Sequence, residues 1–127
     1  MREILFRGKR VDNGEWVEGN YFQWRRYGNL ILIIGRGVQN GSIDGYEVIP
    51  ETVGQFTGLL DKNGKKIFEG DVVAFEREKN FKKEYILPTE IKMEDRGNNG
   101  IGWTQFSPRE LIVIIGNIHD NTELLNG

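Results

Sequence analysis

Two acidic residues flank a glycine at Glu69-Gly70-Asp71, and a third precedes them at Asp61. Carboxylates this close along a chain could form a general acid–base pair or hold a cation. The cation reading fails on spacing. Asp61-Lys62-Asn63-Gly64 begins like a calcium loop, but such a loop needs its glycine at the sixth position. Here glycine comes fourth, and Lys65 and Lys66 take the next two places. The catalytic reading lacks a partner, because no nucleophile or base stands where it would engage Glu69 or Asp71. Turn chemistry accounts for all of these residues. Asn63-Gly64 supplies the positive φ angles of a tight reversal, Gly70 lets the backbone bend into a strand, and Asp71 accepts a backbone N–H at that bend.

The single histidine, His119, excludes a multi-histidine metal site. Its neighbour Asp120 does not make a dyad with it, since adjacent side chains of an extended chain point apart. His119 is expected to be structural or at the surface. There is no cysteine, so disulfides, thiolate metal sites and cysteine nucleophiles are excluded. Gly35-Arg36-Gly37 is too short for a phosphate loop and leads into no helix. The sequence therefore points to no enzyme, with no catalytic residue, cofactor or metal ligand.

Aromatic and basic residues mix in one stretch. Trp16, Tyr21, Phe22, Trp24 and Tyr27 lie among Arg7, Lys9, Arg10, Arg25 and Arg26. Rings with cations between them can stack bases and clamp a single-stranded nucleic acid. They can equally form a half-buried sheet with arginine stems packed over rings. Glu15 and Glu18 interrupt the patch, and the net charge is −2, which favours the sheet. The residues expected at an interaction surface are Trp16, Tyr21, Trp24, Arg25, Arg26 and Tyr27.

The elements that carry these residues are strands. The 127 residues include 17 glycines but one alanine, Ala74, among many β-branched and aromatic residues. That composition opposes a helical protein. Charge is even along the chain: residues 1–58 carry seven basic and seven acidic side chains, and residues 59–127 carry ten and twelve. Neither half makes a field suited to general phosphate-backbone binding. MREILFRGKR lacks the apolar core of a secretory signal, and the runs Leu30–Ile34 and Leu111–Ile115 are far too short to cross a bilayer. A soluble, intracellular protein without membrane contact is expected.

In chain order, Ile4 and Phe6 begin a short strand and Asp12-Asn13-Gly14 turns it. Glu15–Trp24 is aromatic and β-prone, and Gly28-Asn29 closes it. Leu30–Ile34 suits a strand covered on both faces. Gly35–Gly45 has no periodicity and reads as a mobile loop. Tyr46–Ile49 is a short strand, and Pro50-Glu51-Thr52 permits one helical turn. A hairpin fills about 56–76 around Asn63-Gly64. The charged run Glu76–Glu84 reads as a solvated loop or strand end. Tyr85–Met93 is strand-like, with Pro88 marking an edge or bulge. Asp95–Gly100 is a turn and Ile101–Phe106 is extended. Leu111–Ile118 is the strongest strand signal, expected to be central and buried at Ile114, with Gly116 as a bulge or close approach. Asp120–Leu125 can add a terminal helical turn capped by Asn121 or Thr122.

The residues just read also carry a resemblance. Pro50–Leu59 (PETVGQFTGL) followed by Asp61–Val73 (DKNGKKIFEGDVV) resembles the signature of the YopX family, small uncharacterised proteins of phages and prophages. Arg2–Arg10 with Asn13–Val17 is similar to the family's N-terminus, and Val113–Leu125 to its closing motif. His119 and Phe56 stand where other aromatic rings are usual. Segments 20–45 and 76–106 match no family pattern. The resemblance implies one domain over 1–127, softly divided into an N-terminal β subdomain at 1–45 and an SH3-type β barrel at about 50–127. The fold class expected is mainly β, with short antiparallel strands and at most two short helices. In the signature, Gln55, Thr57, Gly58, Asp61, Asn63, Gly64, Glu69, Gly70 and Asp71 are expected to be structural. The family brings no activity with it. The expected role is a non-catalytic module in the cytoplasm of a bacterial host, with a protein partner or a second copy of itself. The alternative is nucleic-acid binding through the N-terminal aromatic and basic residues.

Overall fold

The computed structural model describes residues 4–95, 101–103 and 112–125. The fold is mainly β and antiparallel, and the described residues include two single 3₁₀ turns, at Pro50–Thr52 and Thr122–Leu125. The chain forms two compact units, Met1–Phe56 and Thr57–Gly127, and the change falls inside one strand. Among the described residues no strand pairing closes a barrel. None of their helices is long and apolar enough to cross a membrane.

The N-terminal unit contains β1 (Phe6–Lys9), β2 (Trp16–Arg26), β3 (Asn29–Gln39), β4 (Ser42–Val48) and the first residues of β5 (Gly54–Leu60). Their order is β4-β3-β2-β1-β5. The sheet curls until the end of β4 meets the end of β1. Val11 donates to the Glu47 carbonyl at 3.0 Å and Ile49 to the Lys9 carbonyl at 2.8 Å. A bulge between Gly35 and Gly37 strengthens that curl. Ile34 and Val48 are fully buried beside Gly8, where a Cβ would stand 3.1 Å from both side chains. Thr52 Oγ1 accepts the Lys9 N–H at 2.9 Å and donates to the Ile49 carbonyl at 2.6 Å, which ties the 3₁₀ turn to β1.

Two hairpins in this unit turn on the same chemistry. Tyr27-Gly28 joins β2 to β3 with φ of 51° and 82°, and Asn40-Gly41 joins β3 to β4 with 52° and 80°. Positive φ at both central residues matches the right-handed twist of the strands. The mobile loop expected at Gly35–Gly45 is thus corrected to a strand, a two-residue turn and a strand. The glycines that hid the strand signal are the bulge and the turn. Leu30–Ile34 is covered on both faces only at Ile33 and Ile34, while Leu30 is exposed. Ile4 is exposed and precedes β1.

The C-terminal unit contains the rest of β5, with β6 (Lys66–Phe68) beside it, and a separate sheet ordered β11-β7-β8. These are β7 (Asp71–Lys79), β8 (Lys82–Glu90) and β11 (Ile112–Asn117). A short ladder pairs β9 (Met93–Asp95) with β10 (Ile101–Trp103). Ile67, Val73, Ile91 and Ile112 form the core, with Leu59, Phe75 and Ile114 packed against it.

Several expectations need correction here. Only Gly64, at φ 82°, has positive φ in the Asn63-Gly64 turn. Gly64 donates to the Asp61 carbonyl at 3.0 Å and Asp61 to the Lys65 carbonyl at 2.8 Å. That is a three-residue connection with glycine at its end, not a two-residue one. The second arm of the hairpin expected at about 56–76 is two strands, β6 and β7, separated by Glu69-Gly70. Of the two readings of the charged run at 76–84, the strand end holds and the loop does not: its residues are the ends of β7 and β8, joined by a turn at Asn80-Phe81. Finally, β7 is the central strand of the three-stranded sheet, β11 is an edge, and Ile114 is only partly buried.

Pro88 lies on edge strand β8 beside a register shift, and Leu87 has φ 55°, which is the bulge its position suggested. Another bulge lies between Ile114 and Gly116. The turn at Asp95–Gly100 and the end of the extended segment, Thr104–Phe106, lie outside the described residues.

Candidate interaction surface

The aromatic and basic residues of β2 do not form one patch. Alternation along the strand sends Trp16, Trp24 and Arg26 to one face and Tyr21 and Arg25 to the other. Trp16 is half-buried under two cations, with the Arg7 guanidinium 4.7 Å and the Lys9 ammonium 5.8 Å from its ring centre. Tyr21 packs against Phe6 with centroids 5.3 Å apart. Its hydroxyl accepts from Gln23 Nε2 at 3.1 Å. Both rings therefore belong to the fold.

Trp24, Arg25, Arg26 and Tyr27 stay together at the outer end of the β2–β3 hairpin, and all are exposed. Tyr27 is 98% exposed at the tip. The cations there are partly engaged: Arg25 Nη1 donates to the Gly28 carbonyl at 3.3 Å, and Arg26 pairs with Glu47 at 2.9 Å.

The β7–β8 hairpin presents a second such tip, which the sequence reading passed over as solvated charge. Asn80 and Phe81 have φ of 53° and 64°. Phe81 is 98% exposed. Lys79 and Lys82 face each other across the ladder next to it. The available signal was Asn80 itself, a residue that tolerates positive φ, midway between two runs of strand length.

The signature residues run from β5 through the β5–β6 turn to the first residue of β7. Gln55 sits opposite Phe6 in the β1–β5 ladder. Thr57 Oγ1 donates to the Ile67 carbonyl at 2.8 Å and accepts from Leu59 at 3.1 Å. Gly58 and Gly70 have φ of 89° and 93°. Asp61 is buried, and its Oδ1 accepts from the backbone of Asn63 at 2.8 Å and of Lys65 at 2.9 Å. Asp71, 1% exposed, accepts the Phe68 N–H at 2.7 Å. A carboxylate whose oxygens are occupied by backbone donors is held as a structural acceptor. Glu69 is half-buried, and Asn63 lies in the turn. His119 is partly buried, with its ring edge 3.4 Å from where a Gly70 Cβ would stand.

Each unit also carries an open groove. The N-terminal one, about 730 Å³, is lined by Leu5, Val17 and Tyr46 among apolar residues and by Glu18, Asp44 and Arg36 among charged ones. The C-terminal one, about 600 Å³, includes Tyr85, Pro88, Ile114 and Leu124 with Glu76 and Lys83. In the latter, Lys62 donates to Glu76 at 2.7 Å and Lys83 lies 3.8 Å away, which holds the Glu76 carboxyl below its ordinary value.

Comparison with known proteins adds a family and a fold relative. The crystal structure of protein EF1440 from Enterococcus faecalis is similar to this chain, with a TM-score of 0.52 at 22% identity. The alignment covers 98% of this chain and 99% of that one, and at such identity it bears on the fold. No curated protein matches the sequence. The family model described as YopX protein matches residues 5–126, nearly the whole chain, so this protein belongs to the YopX family.

Proposed function

We propose that the protein is a non-catalytic β module that acts through contacts made by its exposed hairpin ends. One observation carries this reading. Two hairpins each end in an aromatic ring 98% exposed, Tyr27 and Phe81, on a backbone of positive φ. That conformation costs a side-chain-bearing residue about 1 kcal/mol or more. A ring held in water at a strained position gives nothing to the fold and much to a partner, since aromatic anchors dominate protein interfaces. The reading includes an SH3-type arrangement for the chain after about residue 50, a phage or prophage origin, and the cytoplasm of a bacterial host.

A second reading, nucleic-acid binding, is favoured by Trp24 and Tyr27 standing beside Arg25 and Arg26. It is weakened by the loss of Trp16 and Tyr21 to the fold and by the Arg26–Glu47 pair. Affinity capture with the tagged protein, with and without nuclease, separates the two. A partner retained after nuclease and lost in a Tyr27→Gly/Phe81→Gly variant supports the module. Retention that depends on intact nucleic acid, with salt-sensitive fluorescence titration of short single strands, would replace it with the second reading.

A further inference from the structure

The tip of β7–β8 has three features that contribute nothing to folding. Phe81 takes φ 64°, a conformation unfavourable for a bulky residue. Its ring is 98% exposed. Lys79 and Lys82 stand directly opposite each other, and like charges in that relation destabilise a hairpin. Neither lysine has an ion-pair partner among the described residues. The tip at Tyr27 differs, because Arg25 and Arg26 there already bond within the fold. The exposed ring and the facing lysines are both satisfied by one kind of surface, an apolar recess with carboxylates beside it, and contact there offsets the backbone cost.

The N-terminal unit has such a recess. Its groove of about 730 Å³ exceeds the room a phenyl ring needs, and Leu5, Val17 and Tyr46 line it. Glu18 and Asp44, both exposed, also line it, and Arg36 offsets one of their charges, so the lining is net negative. Nucleic acid fits the tip less well, since the chain's net charge is −2 and the lysines form no extended basic track.

We propose that the Phe81 tip of one copy docks in the N-terminal groove of a second copy, with Lys79 and Lys82 facing Asp44 and Glu18. This rests on the reading of the chain as an interaction module. Tip and groove are different surfaces, so each copy can give one and accept one. Such a heterologous contact grows into rings or chains unless geometry closes it at two.

Sedimentation and light scattering over a concentration series test it. The wild type is expected to associate as concentration rises. Phe81→Gly leaves an Asn-Gly turn and so keeps the hairpin, and it should weaken association about tenfold or more, as loss of an aromatic anchor does. Asp44→Lys alone and Lys79→Glu/Lys82→Glu alone should each weaken it. Mixed together, these two variants should associate better than either does by itself. A wild type that stays monomeric up to about 1 mM, the weak end of specific association, overturns the proposal. So does undiminished assembly of Phe81→Gly, or a mixture with no recovery. If self-association fails while a nuclease-resistant partner is still captured, only the docking of like copies is lost. If both fail, the module reading goes with it.

Discussion

The Asp61 carboxylate accepts the backbone N–H of Ile114 at 3.1 Å, across fifty-three residues of sequence. The same side chain braces its own turn through Asn63 and Lys65. One buried acid thus joins the β5–β6 connection to edge strand β11. Lys62, next to it, adds a backbone bond to the Ile112 carbonyl at 2.9 Å. An edge strand paired on one side gains a second set of anchors in this way, which explains why a turn residue is 6% exposed.

Asp61→Ala should therefore cost about 3 kcal/mol, because it strips a charged acceptor from three backbone donors. Asp61→Asn should cost less, since the amide oxygen can still serve one pair of them. Urea denaturation of both variants checks the order. Equal small losses would mean that water replaces the carboxylate at this site.

Gly64 and Gly116 are expected to fail for different reasons. An added Cβ at Gly64 meets nothing within 4 Å, so Gly64→Ala pays only for φ 82°, about 1 kcal/mol. At Gly116 the Cβ would lie 2.6 Å from Asn121 Oδ1 and from Leu124 Cδ1, with no positive φ. Gly116→Ala is a packing clash with the terminal 3₁₀ turn. Adding Leu124→Ala should recover part of its loss and none of the loss at Gly64, a coupling that a double-mutant cycle measures.

Tyr27→Asn and Phe81→Gly should each raise the melting temperature. Both put an asparagine-glycine pair in a turn that wants positive φ twice, relieving about 1 kcal/mol of backbone strain. Unchanged or lowered melting temperatures would mean that the rings stabilise the hairpins after all, and the case for their being held out for a partner would weaken.

The sequence made Asn63-Gly64, Gly70-Asp71, Pro50, Pro88 and Gly116 legible, because each acts through its own backbone or its immediate neighbours. It misplaced what depends on pairing. Gly35–Gly45 looked like a loop because its glycines serve a bulge and a turn, leaving too few apolar residues to show alternation. Glu76–Glu84 looked like solvent-exposed charge because it is, yet two exposed strands can pair without an apolar face. Trp16 and Tyr21 seemed to share a surface with Trp24 because their types match; strand alternation and the cations over Trp16 separate them. Ile114 seemed central because its neighbours are the most apolar in the chain, whereas strand order depends on contacts far away in sequence.

Acid should weaken the fold partly through Glu76. Its carboxylate, 10% exposed, accepts from Lys62 and lies near Lys83. The hydrogen bond from Lys62 is the main cause that sets its folded pKa below the ordinary 4.5, with burial opposing it. The unfolded chain then binds the proton more readily than the folded one does. The contribution is fully present above about pH 5 and is lost as pH falls through the depressed folded value. Glu76→Gln should be less stable than wild type at neutral pH and close to it near pH 2, as urea midpoints across that range would show. Lys62→Met should flatten the difference, because it removes the donor. A gap between wild type and Glu76→Gln that is the same at every pH would mean the carboxylate acts by shape and not by charge.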